Sequence, residues 1–214
     1  MPHVKFKEKI EEIEQTTSKC KHVLLSMNLI ADHLAMVASS LDETSVDKLI
    51  NSITVADSIF LMGAGRSGLV AKAFAMRLMH LGISVYVVGE TTTPAVNPED
   101  LVIAISGSGE TKNIANLGSI VKEIGANLIT LTTNADSRIG RISNSVVVIK
   151  GRSKIDTGGY YERHIRGDYY DELVPMGTTF EVSAMAFLDA CISELMVRID
   201  KSEGDMKQRH ATLE

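Results

Sequence analysis

The chain has 214 residues, of which 44% are apolar and 23% charged, enough for one domain with a substantial hydrophobic core. The net charge of −5 and the lack of a lysine run argue against nucleic acid as a partner. No stretch reads as a signal peptide or bilayer span. Cys20 and Cys191, both in apolar helical patterns, read as buried reduced thiols of a cytoplasmic protein.

Residues from about Val4 to Ser40 carry apolar positions at threes, fours and sevens (Ile10, Ile13, Val23, Met27, Ile30, Leu34, Val37) and predict a long helix. It either packs across a neighbouring subunit or is a surface helix broken near Thr16-Thr17. A second helix is expected over Leu41–Ala56, capped by Asp42 or Thr44.

Strands and helices then alternate. The predicted strands are Ser58–Met62, Ile83–Val88, Leu101–Ile105, Asn127–Thr132 and Ser145–Ile149. The predicted helices between them are Leu69–Leu81, stopped by Gly82 as a C′ glycine, Lys112–Ile124, and a short one over Asp136–Ile142. This pattern implies an α/β fold: a flavodoxin-like, doubly wound, five-stranded parallel sheet of order 2-1-3-4-5, flanked by helices. Lys150–Val174 has glycines, tyrosines and charges without a period, and reads as a long surface loop, either a lid or a solvated insertion. A last helix is expected from Gly177 to about Ile199, followed by a polar tail, Lys201–Glu214. The organisation is therefore an N-terminal helical arm (1–40), an α/β domain (41–200, including the 150–174 loop) and a C-terminal tail (201–214).

Two loops carry the chemistry. After the Leu101–Ile105 strand, Ser106-Gly107-Ser108-Gly109-Glu110-Thr111 leads into a helix N-terminus. Free N–H groups, the helix dipole and three hydroxyls suit an anion such as phosphate. After the first strand, Gly63-Ala64-Gly65-Arg66-Ser67-Gly68 forms G-x-G-x-x-G, with Glu90 at the end of the next strand. That spacing matches a dinucleotide fingerprint. Arg66 and Ser67 count against it, because polar side chains stand where small or apolar ones are usual. In a 2-1-3-4-5 sheet both loops open into the crevice between strands 1 and 3. One cleft with two Gly/Ser helix N-termini and a guanidinium suits a small phosphorylated polyol.

Gly63–Gly68 followed by Phe74-Ala75-Met76-Arg77-Leu78-Met79-His80-Leu81-Gly82, together with Ile105–Thr111, resembles sugar isomerase (SIS) domains. Gly89–Pro94, Pro175-Met176-Gly177-Thr178-Thr179-Phe180-Glu181 and the ending Arg209–Glu214 narrow the resemblance to the 6-phospho-3-hexuloisomerase family, over about Leu41–Glu214. The Lys150–Val174 segment departs from that family by its length. The resemblance implies interconversion of D-arabino-hex-3-ulose 6-phosphate and D-fructose 6-phosphate. It implies no cofactor and no metal, a cytoplasmic homotetramer, no membrane partner, and a place in formaldehyde fixation (the ribulose monophosphate pathway) or in pentose supply. Other SIS sugar-phosphate isomerases, or a non-catalytic sugar-phosphate-binding SIS module, are the alternatives.

Moving the carbonyl between C3 and C2 needs a base that removes a carbon-bound proton and an enediol intermediate. A carboxylate in an apolar pocket is suited to this. Glu181 is the candidate, since the family places its proton acceptor at the matching glutamate. Ser67, Ser106, Ser108 and Thr111, with main-chain groups of Ser106, Gly107, Ser108, Gly109, Glu110 and Thr111, are assigned to the phosphate, and Gly65 permits close approach. Arg66 contacts a sugar hydroxyl or the phosphate, or else pairs with Glu90 or Glu110. His80, matching a family histidine, is a candidate proton shuttle between O2 and O3. His210, in the family-like tail, is a candidate to reach a neighbouring subunit's site.

Overall fold

In the computed structural model, residues 19–151, 174, 177–210 and 212 are described. The first half of the expected N-terminal helix, nearly all of the 150–174 loop, Pro175, Met176 and parts of the C-terminal tail lie outside them.

Helix α1 spans Lys21–Ser39 and α2 spans Glu43–Val55. The Asp42 carboxylate caps α2, accepting the Ser45 N–H at 2.8 Å. Then follow β1 (Ile59–Gly63), α3 (Arg66–Leu81), β2 (Val85–Val87), β3 (Leu101–Ile105), α4 (Lys112–Ile124), β4 (Asn127–Thr132) and β5 (Ser145–Val148). Helices α5 (Thr178–Arg198) and α6 (Glu203–Gln208) close the described chain.

The five strands form one sheet in the order β2-β1-β3-β4-β5, with every pairing parallel. This is the expected doubly wound order. Strands buried on both faces explain the near-continuous apolar runs. Alternate residues divide between two cores. Ile59, Leu61, Ile103 and Leu131 face Phe74, Leu78, Leu188 and Leu195 of α3 and α5. Phe60, Met62, Val102 and Leu128 face Ile114 and Val121 of α4. Phe74 is fully buried, and its truncation to alanine is expected to cost about 3–5 kcal/mol.

Several boundaries differ from expectation. Helix α3 begins at Arg66, with Gly65 as its N-cap, rather than at Leu69. Arg66 and Ser67 are polar and therefore invisible to an apolar periodicity. Only a 3₁₀ turn, Gly140–Ile142, stands where a helix over Asp136–Ile142 was expected. The polar tail contains a helix, α6, because Ser202 and Asp205 form a capping box and Met206 is buried. On α4 the buried residues are Ile114, Ala115, Gly118 and Val121, while Ile120 and Ile124 are exposed.

Helix α1 packs against α5 through a face that buries Leu25 and Val37. Val23, Leu24, Met27 and Met36 remain exposed. With 19 residues and mean hydropathy 1.2 it is, by length and composition, the one described helix able to cross a membrane. The helix carries Lys21, His22, Asn28, Asp32 and His33, and His33 Nε2 meets the Lys150 carbonyl at 2.9 Å. These contacts tie α1 to the sheet domain. Cys20 is exposed, contrary to expectation, because it precedes α1 instead of lying within it.

Candidate active site

The serine loop leaves β3 with its first residue still held by the sheet, Ser106 N–H donating to the Leu131 carbonyl at 3.0 Å. The loop then turns on itself, with Gly109 N–H donating to the Ser106 carbonyl and Gly109 at φ +64°. The segment after β4 braces it. The Gly107 carbonyl accepts from Thr133 Oγ1 at 2.8 Å, from Thr132 Oγ1 at 3.2 Å and from Thr133 N–H at 3.0 Å. Ile139 N–H donates to the Gly109 carbonyl. Glu110 Oε1 accepts from Arg138 N–H at 3.0 Å.

Of the residues assigned to phosphate, Ser106 is buried and its Oγ has no hydrogen-bond partner among the described residues. Buried hydroxyls are nearly always paired, so this one is a candidate ligand contact. Ser108 is exposed, and its Oγ accepts from the Glu110 N–H. Thr111 is the N-cap of α4, but its side chain makes no capping bond and lies open. Glu110 turns its carboxylate to the brace.

The glycine loop of β1 meets the same end of the sheet, since Gly63 pairs with Ile105 in register. Gly63 and Gly68 serve close helix–strand packing: a Cβ on Gly68 would stand 2.9 Å from the Gly63 carbonyl. Gly65 sits at φ +57°. Ser67 is buried in the first turn of α3. Glu90, the residue a dinucleotide site would use, pairs with Lys72 instead.

The third contributor arrives from far along the chain. Gly177, at φ +88°, starts α5 in the left-handed region. The Glu181 carboxylate folds back over it, so that a Cβ on Gly177 would come 3.0 Å from Glu181 Oε2. Phe180, 4% exposed, packs on the serine loop, and a Cβ on Gly107 would stand 2.9 Å from its ring. Glu181 thus reaches the cleft with its side chain 15% exposed and Oε2 without a hydrogen bond among the described residues. Arg66 Nε is 3.6 Å from that oxygen, an ion-pair distance too long for a hydrogen bond. The arginine therefore pairs with neither Glu90 nor Glu110, the structural alternative weighed for it, but with the candidate base.

The structure brings together Arg66, Ser106, Gly107, Phe180 and Glu181. It does not bring His80. That residue lies in the last turn of α3, and the helical rise separates it from Ser67 by about 20 Å along the axis. It is buried, and its ring stacks on His210 with centroids 5.3 Å apart. Helix α6 seats this pair by packing on α3 and bringing the Arg209 side chain against Gly82. Among the described residues His210 meets His80.

Sequence reasoning missed Thr133, Ser137 and the bracing role of the segment after β4. The signal was present: a polar run, Thr132-Thr133-Asn134, follows a buried strand beside the serine loop's own strand.

Comparison with known proteins follows the same lines. The SIS domain model matches residues 52–160. An uncharacterised protein from Archaeoglobus fulgidus is 42% identical over 192 residues, covering 90% of this chain and 100% of its own length. The 3-hexulose-6-phosphate isomerase of Bacillus subtilis is 37% identical over 185 residues, covering 86% of this chain and 95% of its own. A crystal structure from Methanococcus jannaschii, from which a 3-hexulose-6-phosphate isomerase function was inferred, superimposes with a TM-score of 0.73 at 33% identity. That alignment covers 88% of this chain and 98% of the other.

Proposed function

The chain belongs to the SIS-domain family, among the 3-hexulose-6-phosphate isomerases, and on that basis we propose that Glu181 is the base of a sugar-phosphate isomerase reaction in the cleft between β1 and β3. The reaction interconverts D-arabino-hex-3-ulose 6-phosphate and D-fructose 6-phosphate.

One observation carries the assignment of the base. Glu181 Oε2 is buried, has no hydrogen-bond partner among the described residues and lies beside Arg66 at the end of the sheet where two glycine/serine loops meet. Such an atom in a folded protein calls for a ligand. In the direction from fructose 6-phosphate, Glu181 takes the C3 proton, the C3–H electron pair forms the C2=C3 bond of an enediol as O2 gains a proton, and O3 then loses its proton as the ketone forms at C3 and Glu181 returns a proton to C2. Loop amides of residues 106–111 with Ser67, Ser106, Ser108 and Thr111 hold the phosphate. Arg66 steadies the Glu181 carboxylate and the developing charge on the sugar oxygens.

We assign His210 to a neighbouring copy's cleft within a cytoplasmic homotetramer, because it lies too far from its own. The exposed apolar side chains of α1 supply a contact between copies. The substrate chemistry fits formaldehyde fixation by the ribulose monophosphate route.

The test is turnover of fructose 6-phosphate, read by proton NMR without added metal or nucleotide. Wild type produces the 3-hexulose. Glu181→Gln binds fructose 6-phosphate within several-fold of wild type but turns it over orders of magnitude more slowly. Near-normal turnover in that variant removes Glu181 as the base.

A further inference from the structure

Three acceptors of the serine loop point one way. The Gly107 carbonyl is held by Thr133 Oγ1, Thr132 Oγ1 and the Thr133 N–H. The Gly109 carbonyl is held by the Ile139 N–H, and the Glu110 carboxylate by the Arg138 N–H. Every one of these donors comes from residues 132–139, at the end of β4. The lone pairs that would repel an anion are thus turned to one side of the loop.

A trans peptide sets its C=O and N–H antiparallel. Fixing the Gly107 carbonyl toward β4 therefore fixes the Ser108 N–H in the opposite direction. In a sheet ordered β1-β3-β4, the opposite direction is toward β1 and the cleft. The Ser108 N–H takes no acceptor among the described residues.

We propose that Thr133 is a positioning residue for the phosphate: its hydroxyl locks the Gly107–Ser108 peptide so that the Ser108 N–H faces the cleft. The proposal rests on the reading of residues 106–111 as the phosphate loop and adds the device that orients it. Thr133 itself touches no substrate. It is half-buried, with its methyl group against Gly151, where a Cβ would stand 2.9 Å away. The brace is rigid in its own right. Asn134 N–H donates to Thr132 Oγ1 at 3.3 Å, Asp136 N–H to Asn134 Oδ1 at 3.0 Å, and Ser137 N–H to the Asn134 carbonyl. A rigid brace with a hydroxyl clamp keeps the loop's donors in place before substrate arrives, so little ordering is left for binding to accomplish.

The experiment compares wild type, Thr133→Val and Thr133→Ser. Valine keeps the shape and loses the donor, and serine restores the donor without the methyl group. For each, KM and kcat for fructose 6-phosphate are measured together with competitive inhibition by inorganic phosphate. Thr133→Val is expected to raise KM and the phosphate inhibition constant together by about tenfold, with kcat within about twofold of wild type. Thr133→Ser is expected to return both to near the wild-type values. If Thr133→Val does not fold, Thr133→Ala carries the same comparison, with circular dichroism as the check on folding.

Unchanged KM and phosphate inhibition in the valine variant overturn the proposal. So does a fall in kcat alone, or a serine variant that fails to recover. A separate outcome addresses the underlying reading: inorganic phosphate that does not compete with fructose 6-phosphate in wild type removes the phosphate from this loop. Competition in wild type with no change on Thr133→Val removes only the role of Thr133.

Discussion

The Arg66 guanidinium lies 3.6 Å from the Glu181 carboxylate, joining the first turn of α3 to the first turn of α5 across the open end of the sheet. The arginine is 59% exposed and the glutamate 15%, so the pair lies at the mouth of the cleft rather than in the core. Water and salt screen such a pair, and its contribution to stability is small. Its value lies in orientation, since a planar guanidinium can hold a carboxylate and a sugar oxygen together.

Arg66→Ala should therefore leave the fold intact and lower kcat/KM by about 10-fold to 100-fold. Arg66→Lys should recover part of that loss but not all of it, because an ammonium lacks the planar fork. Steady-state kinetics with thermal unfolding as a control checks this. An Arg66→Ala enzyme within about twofold of wild type would assign the arginine a surface role only.

The loop conformation itself is open to a double substitution. Gly109 has φ +64°, and a Cβ there would stand 2.0 Å from Ser137 Oγ. Gly109→Ala suffers both backbone strain of about 1–2 kcal/mol and this collision. It is expected to lower the urea midpoint and raise KM. Adding Ser137→Gly removes the collision and should restore part of the stability, leaving the strain. If the double variant is no more stable than Gly109→Ala, the loop does not rest on Ser137 in this way.

The two cysteines should behave differently. Cys20 is exposed, while Cys191 is buried in α5. Burial, with a smaller contribution from the Glu194 carboxylate, pushes the Cys191 thiol up from 9.0 to about 12. A thiol-specific reagent at neutral pH should modify one cysteine in the native protein and the second only after denaturation. The raised folded value also has a sign for stability. The stabilising difference is complete below pH 9.0 and is lost as pH rises from there toward about 12, because the unfolded chain releases the proton first. Urea midpoints should fall over that range, and less steeply in Cys191→Ala. Equal labelling rates for both thiols would contradict the burial of Cys191.

Much of the architecture was legible in the sequence because a parallel sheet buried on both faces writes continuous apolar strands. Leu101–Ile105 and Asn127–Thr132 fall where expected. The serine loop was legible as a turn for the same reason, since glycines and hydroxyls break the apolar run of the buried strand. Glu181 was named through the resemblance, and the structure supplies its setting. What remained hidden depends on contacts between distant residues. Arg66 was weighed against Glu90 and Glu110, both nearer in sequence, yet its partner is Glu181. Lys72 and the Arg138 N–H had already taken the other two. His80 looked like a site residue because it matches a motif, but a helix 16 residues long carries it to the wrong end. Helix α6 was missed because a capping box and a single buried methionine hold it, with no apolar stripe to read.

The central claim is that Glu181 moves a proton between C2 and C3 through an enediol. The most direct measurement is fructose 6-phosphate incubated in deuterium oxide with wild type and with Glu181→Gln, read by proton NMR. Wild type should introduce deuterium at C3 of the fructose 6-phosphate pool and at C2 of the 3-hexulose that appears, and Glu181→Gln should introduce almost none while still binding the sugar phosphate. Exchange and turnover at wild-type rates in Glu181→Gln would contradict Glu181 as the base.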